Sequence, residues 1–213
     1  MRMLEIQTKL CHKSNCGNRR LVAPIYLVIH FTSNKGDTAK NNADYFAREI
    51  VKASAHYFVD ENEIWQSVRD DTVAWHCGGS HYYHNECRNA NSIGIEICMN
   101  DKNGKVREGS IERAVELARM LMDKYSITID RVVRHYDVTH KRCPGPMVDD
   151  PARWKEFKKS LEAKKMANNT PSSWAADAWE KATKAGIVDG TRPREPITRQ
   201  EIVVILDRLR LIK

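Results

Sequence analysis

The sequence has no apolar run long enough to cross a bilayer. Its longest, at residues 24–31 and 202–206, fall far short of the roughly 20 residues a spanning helix needs, so no integral membrane segment is expected. An apolar secretory core is also missing, because Glu5 and Lys9 interrupt the opening MRMLEIQTKLC. The expectation is a chain made and folded in the cytoplasm without a signal peptide, which would reach any outside target by a separate exit route. Six cysteines without such a signal read as thiols or metal ligands, not as a disulfide framework. There is no basic tail either: after residue 170, 8 Lys and Arg face 6 Asp and Glu, which places +2 of the net +7 there. That charge favours anionic partners. With no basic-aromatic stripe or nucleic-acid motif beside it, nucleic acid is not expected among them.

What is present fits a folded domain. Hydrophobic residues make up 41% of the 213 and charged residues 30%, enough for one core of about 150 residues with a small appendage. Residues 24–31 (PIYLVIHF) read as a buried strand. Residues 41–53 read as a helix with Ala43, Phe46, Ala47 and Ile50 on one stripe. Strands are expected at 55–60, 63–68, 91–98 and 131–134. In the third of these, Ile93, Ile95 and Ile97 alternate with Ser92, Gly94, Glu96 and Cys98, which puts Glu96 on the face opposite the isoleucines. A helix at 110–125 carries Ile111, Ala114, Val115, Ala118, Leu121, Met122 and Tyr125 at helical spacing, with Ser110 as its expected cap. A last helix at 150–165 turns Trp154, Phe157 and Leu161 to one side. Strands alternating with helices give an α/β fold: a central mixed β-sheet flanked by helices, over residues 1–162. Residues 163–171 are polar and read as a linker, and 172–213 as a small C-terminal helical subdomain with helices near 172–186 and 198–211.

Three residues have metal-ligand character at the ends of rigid elements. His30 closes one strand, His135 follows another, and Cys143 sits in a loop stiffened by CPGP. A catalytic zinc takes three such ligands and leaves a fourth position open. Spacing alone leaves the alternative open, that the histidines are satisfied core residues and the thiol is inert. HYYHNEC (His81, His84, Cys87) and CHKSNC (Cys11, His12, Cys16) lack a complete four-ligand set. Cys77 and Cys98 read as buried thiols.

Five blocks in order carry a resemblance: VIHFTS at 28–33, SAHYFVDENEIWQSV at 54–68, AWHCGG at 74–79, NSIGIEIC at 91–98 and RHYDVTHKRCPGPM at 134–147. Together, over about residues 21–160, they resemble the type 2 N-acetylmuramoyl-L-alanine amidase family, which includes phage lysis amidases and animal peptidoglycan recognition proteins. The resemblance implies hydrolysis of the amide between N-acetylmuramic acid and L-alanine in peptidoglycan, with one zinc ion held by His30, His135 and Cys143. It implies Glu96 as general base and Lys141 as the cation facing the tetrahedral intermediate. Some relatives use a tyrosine just before the histidine of SAHY. Ala55 stands there, so the chain resembles the glutamate-using branch and Tyr57 inherits no role. His76, His56 and Trp75 are expected to line the substrate cleft, the two histidines alternatively bracing the zinc site.

Residues 172–211 resemble one S-layer homology motif, with GIVDGT as its turn and Thr198 and Glu201 as a capping box. The expected packing sets Trp174, Ala178 and Ala182 against Ile202, Val203, Leu206 and Leu209. The resemblance implies attachment to an anionic secondary wall polymer, with a homodimer through these helices as the alternative; by charge, Arg192, Arg194 and Arg199 are either contacts to that polymer or a merely solvated face. For the whole chain, the leading expectation is an endolysin that acts on the wall after release. A host autolysin and a non-catalytic peptidoglycan-binding module are the other readings.

Overall fold

The computed structural model describes residues 4–169, 171–172, 175–191, 193, 197 and 199–212. It divides into two compact units, Met1–Leu161 and Glu162–Lys213. The first is built on six strands in the order β1 (Gln7–Thr8), β5 (Ile64–Gln66), β4 (Tyr57–Val59), β7 (Ser92–Ile97), β3 (Tyr26–Phe31) and β8 (Val132–Arg134). The inner strands β4, β7, β3 and β8 run parallel, and β5 pairs antiparallel with β4. The sheet is therefore mixed, and helices flank it.

Alternation along β3 and β7 separates core from site. Leu27, Ile29, Ile93, Ile95 and Ile97 are fully buried against Leu117 and Leu121 of α2 (Glu108–Tyr125) and Phe157 and Leu161 of α5 (Pro151–Asn169). The other face carries His30, Ser92, Gly94 and Glu96. Strands in such a parallel centre are long apolar runs, which is why they were readable.

Several boundaries depart from expectation. The first helix, α1 (Ala39–Arg48), stops well short of residue 53 and leaves Ile50 57% exposed. Buried Asn15 stops it: its amide donates to Phe46 O and Glu49 O, while Oδ1 accepts from the Val51 and Lys52 amides. Ser110 is no cap, since α2 already begins at Glu108 and Ser110 is buried in its first turn. The backbone read as linker is helical as far as Asn169, consistent with the good helix formers Ala163, Lys164, Lys165, Met166 and Ala167. Unanticipated are β1, β2 (Cys16–Arg19) and β6 (Thr72–Ala74), the last two forming a separate antiparallel pair. The site helices α3 (His135–Thr139) and α4 (Gly145–Asp149) complete this unit.

The second unit holds α6 (Ala176–Lys184) and α7 (Arg199–Arg208), with no buried residue in either. Of the expected packing residues, Ala178, Ile202, Val203 and Leu209 are exposed, while Ala182 and Leu206 are half-buried. Two short helices enclose too little apolar surface to bury a stripe. Trp174, Thr198, Arg192 and Arg194 lie outside the described residues; Arg199 is exposed at the start of α7. Among the described residues, no helix is long and apolar enough to cross a membrane.

Candidate metal centre and active site

His30 sits near the C-terminal end of β3, and His135 opens α3 directly after the neighbouring strand β8. Arg134 anchors that turn, since its backbone N–H and guanidinium both donate to Asp137 and its guanidinium also donates to Met147 O. The Tyr136 amide donates to Cys143 O at 2.8 Å and folds the following loop back toward the strand ends. His30, His135 and Cys143 are 1%, 3% and 4% exposed. Their ligand atoms all lie within 4.8 Å of one another. Among the described residues this is the one convergence of three or more His, Cys, Asp or Glu ligand atoms. His12 Nδ1 accepts from the Ser14 amide, and His84 Nδ1 from the Glu86 and Cys87 amides, so both act in local turns.

The trio fits a zinc ion. His30 Nδ1 lies 3.7 Å from Cys143 Sγ. The corresponding edge of a tetrahedron with ordinary Zn–S and Zn–N bonds is about 3.6 Å. Both ring nitrogens of His135 are buried without any hydrogen-bond partner, a costly arrangement for a histidine that serves only packing. Burial, reinforced by neighbouring histidines and by Lys141, drives His30 well below the usual imidazole range. Burial and the Lys141 charge bring His135 down to about 4. Both imidazoles are thus neutral and free to donate a lone pair near pH 7. Burial, with Glu96 nearby, pushes the Cys143 thiol up to about 12, so binding a cation there requires displacing its proton.

Glu96 faces the trio across the parallel ladder, with Oε1 4.0 Å from His30 Nδ1. Its Oε2 is buried and has no partner. Burial raises its carboxyl to about 7 against the opposing pull of Lys141, and Asp37 adds to the rise. Lys141 is exposed, yet its charge reaches His30, His135, Glu96 and Cys143. Asp37 was not anticipated; it is held by the Asn42 side chain at 2.7 Å.

Of the other residues expected to line the cleft or brace the site, His56 and His76 are buried and Trp75 is half-buried. His56 is fully buried, accepting from the Gly94 amide at 3.0 Å and facing Thr72 O at 3.1 Å, so it braces β7 and has no surface for substrate. Trp75 is half-buried, its amide donating to Ser54 Oγ and its indole packed over Gly17 of β2. His76 is 9% exposed and stands against His30, with His30 Nε2 and His76 Nδ1 3.0 Å apart.

Residues 20–146 match the family described as N-acetylmuramoyl-L-alanine amidase. The chain belongs to that family. A probable N-acetylmuramoyl-L-alanine amidase of Bacillus licheniformis is 34% identical over 181 residues, covering 79% of this chain and 49% of that protein. The amidase BlyA of Bacillus subtilis strain 168 is 37% identical over 150 residues, covering 64% of this chain and 41% of its own. The chain thus spans about half the length, or less, of these curated relatives. The solved structure of PlyL superposes with a TM-score of 0.65 at 29% identity, over 74% of this chain and 97% of that one. The mixed α/β unit therefore has the amidase-domain fold, with the strand-end cluster on the sheet face opposite the main core.

Proposed function

We propose that this chain is a zinc-dependent N-acetylmuramoyl-L-alanine amidase that cleaves the amide between the lactyl group of N-acetylmuramic acid and the first L-alanine of the peptidoglycan stem. The observation that carries this reading is the convergence of His30, His135 and Cys143 within 4.8 Å beside a buried, partnerless Glu96 oxygen. Zinc held there supplies Lewis acidity, polarising the scissile carbonyl and making water acidic enough to attack near neutral pH. Glu96 takes the proton of the attacking water and delivers it to the leaving amine, a role suited to a carboxyl that titrates near 7. Lys141 offsets the negative charge that builds on the carbonyl oxygen. The neutral imidazoles and the thiolate of Cys143 hold the cation and stay out of proton transfer.

The test is digestion of purified cell walls with and without a chelator, scoring new amino termini and new reducing ends. Amino termini that vanish with chelator and return with zinc are expected. Reducing ends would identify a glycosidase, and wall binding without either product a non-catalytic module.

The biological setting proposed is an endolysin, made in the host cytoplasm and acting on the wall after release; a host autolysin would share the chemistry. The last forty or so residues, similar to one S-layer homology motif, are proposed to attach the enzyme to an anionic secondary wall polymer. The exposed Ile202, Val203 and Leu209 favour a homodimer as the second reading. Co-sedimentation with walls before and after removal of that polymer, run beside sedimentation velocity of the free protein, separates the two.

A further inference from the structure

A chain of hydrogen bonds runs from the metal trio into the backbone, and the acceptor-only carbonyl at its far end orients it. Ser92 Oγ lies 2.7 Å from Arg88 O and 3.2 Å from His76 Nε2. The hydroxyl has one proton and the carbonyl is acceptor only, so the short contact takes that proton. Ser92 Oγ is left as an acceptor, facing His76 Nε2–H at 3.2 Å and the Cys77 thiol at 3.8 Å. With its Nε2–H given to Ser92, His76 turns Nδ1 toward His30 as the acceptor, 3.0 Å from His30 Nε2. His30 therefore carries its hydrogen on Nε2, and its bare Nδ1 points at Cys143 Sγ.

A second, independent feature shows that this arrangement is built in. The His76 ring lies directly over Gly94, where an added Cβ would come within 2.5 Å of its Cγ and 2.7 Å of its Nδ1. Any other residue at 94 would push the ring off β7. Ser92, Gly94 and Glu96 share one face of the strand by simple alternation, and each serves the same cluster.

We infer that His76 is the positioning residue of the metal site: pinned by Ser92 and admitted by Gly94, it fixes His30 in the tautomer that turns Nδ1 toward the cation. A metal-bound histidine usually directs its second nitrogen to a carbonyl or carboxylate, which accepts without any tautomer of its own. Here the acceptor is another imidazole, which works only while its far nitrogen is held as a donor. That is the task of Ser92. The inference rests on the zinc reading for its consequence, though the tautomers are a property of the chain alone.

The test begins with the metal-free protein labelled with 15N at histidine, whose ring correlations distinguish the two nitrogens. His30 and His76 are both expected to carry hydrogen on Nε2 only. In Ser92→Ala, which adds no bulk, both rings are expected to become tautomer mixtures, and zinc affinity measured against a competing chelator to fall about tenfold. His76→Asn keeps an acceptor for His30 and should hold affinity within about threefold of wild type, whereas His76→Leu, of similar size, should lose about tenfold or more. Hydrogen on His30 Nδ1 in the wild type, or equal affinities for the Asn and Leu variants, would overturn the proposal. Failure of the wild type to bind zinc at all would instead sink the metal reading and leave the tautomer measurement to decide the relay.

Discussion

His30 on β3 and Glu96 on β7 occupy the same register position in adjacent parallel strands, and their side chains meet on the face away from the core with Nδ1 and Oε1 4.0 Å apart. The ladder thus sets the spacing between the proposed metal ligand and the proposed base. Neither residue depends on a flexible loop for its place, and a site carried on strands keeps its geometry without substrate.

Glu96 carries a cost that its replacement would relieve. Its carboxyl titrates at about 7 in the fold, above an ordinary 4.5. Between those values the folded chain binds more protons than the unfolded one, so stability of the metal-free protein falls as pH rises through that window. The side chain keeps 22% exposure, which softens the penalty. Glu96→Gln, neutral at every pH, is expected to stabilise the metal-free protein at pH 8 by about 2 kcal/mol and to leave it unchanged at pH 4. Turnover should fall by about 10²–10⁴ with zinc content intact. Urea unfolding at the two pH values together with wall digestion checks both halves. A variant no more stable than wild type at pH 8 would mean that Glu96 titrates normally.

The β7 motif shows how far the sequence could be read. Period-two alternation was enough to separate Ile93, Ile95 and Ile97 from Glu96, because burial on one face is written directly into residue type. The metal trio was less firmly written: His30 and Cys143 are 113 residues apart, residue type and position left packing histidines and an inert thiol as the alternative, and the family blocks gave the ligand reading its weight. Local pattern also failed wherever a distant side chain decides. Asn15 ends α1 through its contacts with residues 46–52, and nothing near Ile50 signals this. Strand β2, written CGNR, has no alternation at all and exists because β6 lies beside it. His76 was read as lining the cleft or bracing the metal site, because its amphipathic ring fits both roles; its two hydrogen bonds are visible only in three dimensions.

Zinc binding is expected to release the Cys143 proton, since that thiol is held up at about 12 while the imidazoles are already neutral. Above pH 8, where Glu96 is ionised, zinc affinity should rise about tenfold per pH unit. Calorimetry in buffers of different ionisation enthalpy counts the proton directly. Cys143→Ser should bind zinc at least about 100-fold more weakly and show no such slope; unchanged metal content in that variant would remove Cys143 from the ligand set.

Asp60 is a structural carboxylate that this fold depends on. It is 1% exposed, and its oxygens accept from the amides of Ala39 at the start of α1 and of Asn62 and Glu63 in the β4–β5 turn. Asp60→Ala leaves those three donors without their acceptor and is expected to cost about 2–3 kcal/mol in chemical denaturation. Zinc content should not change, because none of the three elements it joins carries a metal ligand. A loss below about 0.5 kcal/mol would show that water takes over the freed amides.

Lys141 differs from the other site residues in being exposed, so its removal should leave the fold intact and act on the reaction. Its charge opposes protonation of His30 and His135 and favours the ionised Glu96, which means it tunes the resting site in addition to its proposed role facing the developing oxyanion. The two effects separate kinetically. Loss of oxyanion stabilisation lowers kcat at every pH by about 10²-fold, whereas loss of the electrostatic pull on Glu96 shifts the acid limb of the pH profile upward. Lys141→Ala is expected to show both, and Lys141→Arg, which keeps the charge, to preserve the acid limb while recovering most of kcat. If Lys141→Ala moved only the acid limb, Lys141 would be a remote charge acting through Glu96, and another donor would have to face the oxyanion.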